Sequence, residues 1–204
     1  MYRLYSIPGS CSTGIHALLN KLGQEVEIIK RDDLPDYAAL VPTNQVPALQ
    51  TEEGLLTEGA AIVLHLLDRH DQQGGLVEDQ EFRQWLLFNY ATLHATYSKL
   101  FMAGVQNVVA HPESRAVLID HVSARLSTLW EIVDTRLEGR SYMVGDGPTV
   151  IDYLLAVYAN WNNAVPEARI TIGPNARRLI AAVVGLPEFA AAIAREGVEH
   201  RLAA

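Results

Sequence analysis

The chain has 204 residues, of which 49% are hydrophobic and 20% charged, with a formal net charge of −8 and a pI near 5.3. That balance excludes disorder, collagen and coiled coil, and it supplies enough apolar surface for a large core. The basic side chains are scattered without a run, and only Lys21, Lys30 and Lys99 are lysines, so nucleic acid and anionic membrane surfaces are not expected partners.

Residues 2–7 form a short aromatic and aliphatic run stopped by Pro8-Gly9, which predicts a strand and a turn. The start lacks a signal-peptide pattern, and no apolar run approaches the roughly 20 residues of a membrane span. Next come Ile15, Leu18, Leu19 and Leu22, one apolar helix face ended by Gly23. Residues 25–30 read as a second strand. Residues 32–40 read as a short irregular or helical piece. Residues 48–51 and 55–57 read as two strands joined by a hairpin turn at Glu52-Glu53-Gly54. A helix follows over 58–69. The order β-α-β-α-β-β-α predicts a small α/β domain with a mixed four-stranded sheet over residues 1–70.

Residues 71–78 are polar and glycine-rich and read as a linker. Residues 79–204 read as an all-helical domain. Phe82, Leu86, Tyr90, Leu93, Tyr97 and Leu100 recur at helical spacing, as do Leu118, Val122, Leu126, Leu129, Val133 and Leu137. Thr149-x-x-Asp152 has the spacing of a capping box, with Asp where Glu is commoner. Pro187 suits the first turn of a last helix ending near Gly197.

Three segments carry candidate chemistry. In Gly9-Ser10-Cys11-Ser12, a thiol at a helix start meets unpaired N–H groups and a partial positive charge, which lower a cysteine pKa. Ser12 as an N-cap with Cys11 as a packing residue is the plain alternative. In Gln45-Val46-Pro47, a proline before a strand marks either a cis peptide, leaving an edge free for an extended peptide, or an ordinary edge strand. In Thr57-Glu58-Gly59-Ala60, either Thr57 simply caps a helix, or the N–H groups of Gly59 and Ala60 hold an anion while Glu58 meets an amine. Cys11 is the single cysteine, which excludes an internal disulfide and places the chain in a reducing cytoplasm. None of the seven histidines forms a metal-ligand pair, so no metal is expected. His94 shares a predicted helix face with Leu87, Tyr90 and Ala91.

In their order, these features resemble the cytosolic glutathione S-transferases, most closely the bacterial beta class. The carrying motifs are Pro8-Gly9-Ser10-Cys11-Ser12, Val46-Pro47-Ala48-Leu49, Thr57-Glu58-Gly59-Ala60-Ala61-Ile62, Trp85-Leu86 with Leu93-His94, and Thr149-x-x-Asp152. The resemblance implies a thioredoxin-like N-terminal domain that binds glutathione as co-substrate. It also implies an all-α C-terminal domain that helps bind a small apolar electrophile, and a homodimer. It places Cys11, Ser10 and Ser12 by the glutathione sulfur. It makes Gln45, Val46 and a cis Pro47 the segment that pairs with the cysteinyl backbone, and gives Glu58 and Gly59 the γ-glutamyl end. His94 would reach in from the other domain. Three departures stand out. Val41-Pro42-Thr43-Asn44 replaces a glycine turn, for which Asn is the best substitute at positive φ. Leu87 replaces an Asn near the thiol, and residues 31–50 lack the lysine that binds the glycyl carboxylate. Besides transfer, two readings stay open: disulfide or peroxide reduction through Cys11, and ligand binding without catalysis.

Overall fold

The computed structural model describes residues 1–71, 74–106 and 108–201; Gln72 and Gln73 of the expected linker, Asn107 and residues 202–204 lie outside the described residues. Strand β1 (Tyr2–Ser6) leads through helix α1 (Ser12–Lys21) to strand β2 (Val26–Lys30), which pairs with β1 in parallel. The intervening helix is what parallel pairing demands, since a tight turn joins only antiparallel strands. Residues 32–40 resolve into a 3₁₀ turn at Arg31–Asp33 and a single helical turn, α2 (Tyr37–Leu40). Strand β3 (Ala48–Thr51) then runs antiparallel to β1, and β4 (Gly54–Thr57) pairs antiparallel with β3. The sheet order is β2-β1-β3-β4, the expected mixed four-stranded sheet. Helix α3 (Gly59–His70) completes the α/β unit.

The rest is helical: α4 (Gln80–Leu87), α5 (Ala95–Gly104), α6 (Pro112–Arg136), α7 (Val150–Asn160), α8 (Pro174–Val184) and α9 (Pro187–Glu196). Pro112, Pro174 and Pro187 each occupy a first turn, where a missing N–H is no loss. Among the described residues no helix is long and apolar enough to cross a membrane. Helix α7 is buried from Val150 through Ala159, which fits its hydrophobic composition on every side.

Helix α1 joins the two halves. All residues from Ser12 to Leu19 are buried. The sheet covers one side, and α7 and α9 cover the other. At Gly14 a Cβ would lie 2.9 Å from Leu154 Cδ2, so the α1–α7 approach uses the missing side chain.

One expectation fails here. The apolar repeat from Phe82 to Leu100 predicts uninterrupted α-helix, but Phe88–His94 is wound as π-helix. Each bond there spans one extra residue, which rotates the following side chains relative to an α-helical count. Within the segment Ala91 is exposed, while Asn89 is buried and donates from Nδ2 to the Trp85 carbonyl at 3.0 Å; Leu87, the last residue of α4, is 53% exposed. The predicted shared face of Leu87, Tyr90, Ala91 and His94 does not exist. Leu87 and Ala91 face solvent, Tyr90 packs on Gly59 of the α/β domain, and His94 packs within the helical domain against Tyr158 and Trp161.

The capping box holds as read. The Ile151 N–H donates to Thr149 Oγ1 at 3.3 Å, and the Thr149 N–H donates to Asp152 Oδ2 at 2.7 Å. Asp152 Oδ1 also accepts from the Met143 N–H at 2.9 Å, and the residue is fully buried. Truncating it leaves several buried donors unpaired, so Asp152→Ala should lower stability by about 3 kcal/mol in urea unfolding. A loss below about 0.5 kcal/mol, the range of an exposed substitution, would contradict this assignment.

Candidate functional site at the domain cleft

The loop after β1 places the single thiol. The Ser10 N–H donates to the Ile7 carbonyl at 3.0 Å, and Gly9 takes φ +73°, a conformation that favours glycine. The N-cap of α1 is Cys11, whose backbone is already helical, and not Ser12 as the plain reading expects. Ser12 lies inside the first turn and its N–H donates to Ser10 Oγ at 3.2 Å; Ser10 Oγ donates in turn to Ser12 Oγ at 3.0 Å. The capping oxygen is therefore Ser10.

Cys11 is 3% exposed, with Sγ 3.7 Å from the Val46 carbonyl oxygen. Burial pushes its pKa up to about 12, although hydrogen bonds from the Cys11 and Ser12 backbones pull the other way. The expectation that the helix start lowers this pKa is overturned. Removing a sulfur anion from water outweighs two backbone donors.

The Val46-Pro47 peptide is cis. Pro47 is buried and Val46 half-buried, while Gln45 is exposed and its carbonyl accepts from the Tyr37 hydroxyl at 2.8 Å. Asn44 takes φ +54°, and its N–H donates to the Val41 carbonyl at 2.8 Å, so asparagine does close the turn. β3 begins only at Ala48, leaving Val46 at the open margin of the sheet beside Cys11. Arg31 is the cation nearest in sequence to this margin, and its guanidinium is paired with Asp32 at 2.7 Å.

Thr57 does not cap α3. The N-cap is Glu58, an exposed non-glycine residue at φ +66°, and no side chain caps the helix. Such a backbone costs on the order of 1–3 kcal/mol and clusters at ligand clamps. The N–H groups of Gly59 and Ala60, in the first turn of α3, have no intrahelical partner and sit at the partial positive end of the helix. Gly59 is buried because Tyr90 presses on it: a Cβ would sit 2.3 Å from Tyr90 Cε1.

The helical domain supplies the opposite wall. His94 is half-buried among Tyr90, Tyr158 and Trp161, with its ring centroid 5.8 Å from Tyr158 and 5.4 Å from Trp161. Burial lowers its pKa, so the imidazole is neutral at pH 7. Trp161 Nε1 donates to the Gly9 carbonyl at 2.7 Å, tying this wall to the Cys11 loop.

A residue that the sequence reading missed ties the same loop from behind. Glu196 Oε2 accepts from the Gly9 N–H at 3.1 Å and from the Thr13 hydroxyl at 2.7 Å, and Oε1 lies 3.0 Å from His16 Nδ1. One signal was available: an acid in the last turn of a helix opposes the helix dipole, so it needs another reason to be there. Among the described residues no group of His, Cys, Asp or Glu is arranged to hold a metal ion.

The chain is a thioredoxin-like sheet with a cis proline beside a helix-start thiol, packed on a helical domain. Residues 1–68 match the family model for the glutathione S-transferase N-terminal domain. The chain is 32% identical over 170 residues to glutathione S-transferase GST-4.5 of Xanthomonas campestris pv. campestris, covering 78% of this chain and 81% of that protein. Among solved structures, a glutathione S-transferase from Xylella fastidiosa superimposes with a TM-score of 0.87 at 25% identity, over 98% of this chain and all (100%) of that one. A sphingomonad glutathione S-transferase complexed with glutathione has a TM-score of 0.79 at 24% identity, over 97% of this chain and 100% of the other. The chain belongs to the glutathione S-transferase family and is of the bacterial type.

The raised Cys11 pKa sets a pH dependence. The folded state prefers the protonated thiol, so this stabilisation is complete below the ordinary thiol pKa and is lost as pH rises toward about 12. At pH 8, iodoacetamide should modify Cys11 about a thousandfold more slowly in the folded protein than in denaturant, from a shift of 9.0 to about 12. Equal rates would show that the thiol is accessible and ordinary.

Proposed function

We propose that this protein is a glutathione transferase that joins the glutathione sulfur to an electrophilic carbon of an apolar substrate. The observation that carries this reading is the cis Val46-Pro47 peptide held beside the Cys11 thiol, with the Cys11 loop tied to Trp161 and α3 starting uncapped at Glu58.

Each part of the tripeptide has a matching group. The α-carboxylate of the γ-glutamyl end suits the N–H groups of Gly59 and Ala60, where a helix start favours an anion. Its amine suits the exposed Glu58 carboxylate. The cysteinyl backbone pairs with Val46, with Gln45 and Pro47 shaping that edge, as an extended peptide adds to a sheet margin. The thiol then lies beside Cys11, Ser10 and Ser12. A free thiol ionises near 8.5, and lowering this toward 7 raises the thiolate fraction at neutral pH about tenfold. The thiol proton passes to solvent. The thiolate attacks the electrophile held against Phe101, Trp161 and the neutral His94, and the second substrate's leaving group departs with the bonding electrons. Proximity supplies the remaining acceleration.

Burial of Cys11 as a neutral thiol favours this route over disulfide or peroxide reduction through Cys11, which needs a Cys11 thiolate. Cys11 acts instead as a hydrogen-bond donor. A homodimer in a reducing cytoplasm completes the reading.

Isothermal titration calorimetry with glutathione, followed by conjugation of 1-chloro-2,4-dinitrobenzene, tests it. Saturable binding and glutathione-dependent turnover are expected, with Glu58→Ala weakening glutathione about tenfold, or roughly 1.4 kcal/mol. Absence of heat and of turnover at millimolar glutathione would contradict the transferase reading and favour a carrier of apolar ligands.

A further inference from the structure

Strand register fixes the row of groups along the margin of the sheet where the site lies. Thr57 is opposite Ala48, Ala48 opposite Tyr5, and Tyr5 opposite Ile29. The ends of β4, β1 and β2 and the start of β3 therefore share one margin. Across it, from β4 to β2, stand Glu58 after β4, Val46 before β3, the Cys11 loop after β1 and Arg31 after β2. A tripeptide whose γ-glutamyl end meets the start of α3, and whose middle residue pairs with Val46, runs along this row. Its third residue then reaches the segment that follows β2.

That segment packs beside Val46. Leu34, Tyr37 and Val46 share one small apolar cluster with Tyr5 and Ile29, and the Tyr37 hydroxyl donates to the Gln45 carbonyl at 2.8 Å. A cavity of about 260 Å³ opens there, lined by Arg31, Asp32, Leu34, Asp36, Tyr37 and Asn44 among others. Its charges do not suit an anion. Of the charged residues lining it, Arg31 is the cation and Asp32 and Asp36 are anions. Arg31 directs both Nε and Nη2 at Asp32 Oδ1, at 2.9 and 2.7 Å. Asp36 precedes the single turn of α2, and its carboxylate does not cap that turn. Asp33 beside them is exposed and adds negative charge. Lys30 is the neighbouring cation, but side chains alternate along a strand, so it belongs to the sheet face opposite Ile29 and the Tyr37 cluster. Asn44 and Gln45 bring only neutral amides. A carboxylate arriving at this end meets a net negative charge, whereas an amide N–H meets carboxylate oxygens that can accept it.

We propose that the site selects a thiol tripeptide whose terminal carboxyl is capped as an amide. This rests on the glutathione reading above and extends it to the third residue of the peptide. Glutathione itself binds through its first two residues, and its amidated form binds more tightly. The preference is electrostatic: two or three carboxylates in partly hydrated surroundings cost an incoming carboxylate on the order of tenfold in affinity at low ionic strength, and salt screens the effect.

Titration calorimetry with glutathione and with its C-terminal amide, at low ionic strength and in about 1 M salt, tests this. The amide should bind about tenfold more tightly at low salt. The ratio should fall to within about twofold at about 1 M, where the screening length is only about 3 Å. In the Asp32→Asn/Asp36→Asn variant, which also releases Arg31, glutathione should bind about tenfold more tightly than in the parent. The amide should stay within about twofold, so the preference disappears. Glutathione binding as tightly as the amide in the parent would overturn the proposal and leave the transferase reading standing. So would a preference that survives the double substitution. A parent that binds neither peptide removes the transferase reading and this proposal together.

Discussion

The burial of helix α1 on both sides is the constraint on which the rest of the structure depends. The sheet alone covers one stripe of a helix, and α1 is buried all round from Ser12 to Leu19. It therefore needs α7 and α9 on its outer face, and Gly14 lets Leu154 of α7 come close. The two domains share one core because of this helix. The consequence for function is positional. The start of α1, where Cys11 sits, is fixed by both halves of the chain, with Glu196 behind the loop and Trp161 above it.

The same burial decides the chemistry at that point. A helix start offers donors and partial positive charge, which favour an anion. Enclosure in protein disfavours one, and for Cys11 enclosure wins. The thiol is consequently a poor nucleophile and a serviceable donor. In the proposed reading a bound tripeptide brings its own sulfur to the loop that holds Ser10, Cys11 and Ser12.

Much of the fold was legible in the sequence because it rests on local signals. Alternation and turn residues located the strands and the Glu52-Glu53-Gly54 turn, and Thr149 with Asp152 marked a helix start. The motifs around Val46 and Glu58 were legible as candidates, but their backbone states were not. Val46-Pro47 reads equally as cis or trans, and nothing in Thr57-Glu58-Gly59 announces that Glu58, and not the glycine, takes positive φ. The π-helical segment was hidden because Phe82, Leu86, Leu93, Tyr97 and Leu100 are buried either way. The expectation that Leu87, Tyr90, Ala91 and His94 share one face followed from the uninterrupted α-helical count. For Glu196 the one local signal, an acid in a last helical turn, does not name its partners, because Gly9, Thr13 and His16 lie at the opposite end of the chain.

The central claim concerns where a thiol tripeptide sits, and a crystal structure of the protein grown with glutathione tests it most directly. The account predicts an extended peptide whose cysteinyl backbone pairs with Val46 and whose γ-glutamyl carboxylate meets the first N–H groups of α3. Its sulfur would lie beside Cys11 at the start of α1. Glutathione seated elsewhere, or a sulfur turned away from Cys11, would contradict it.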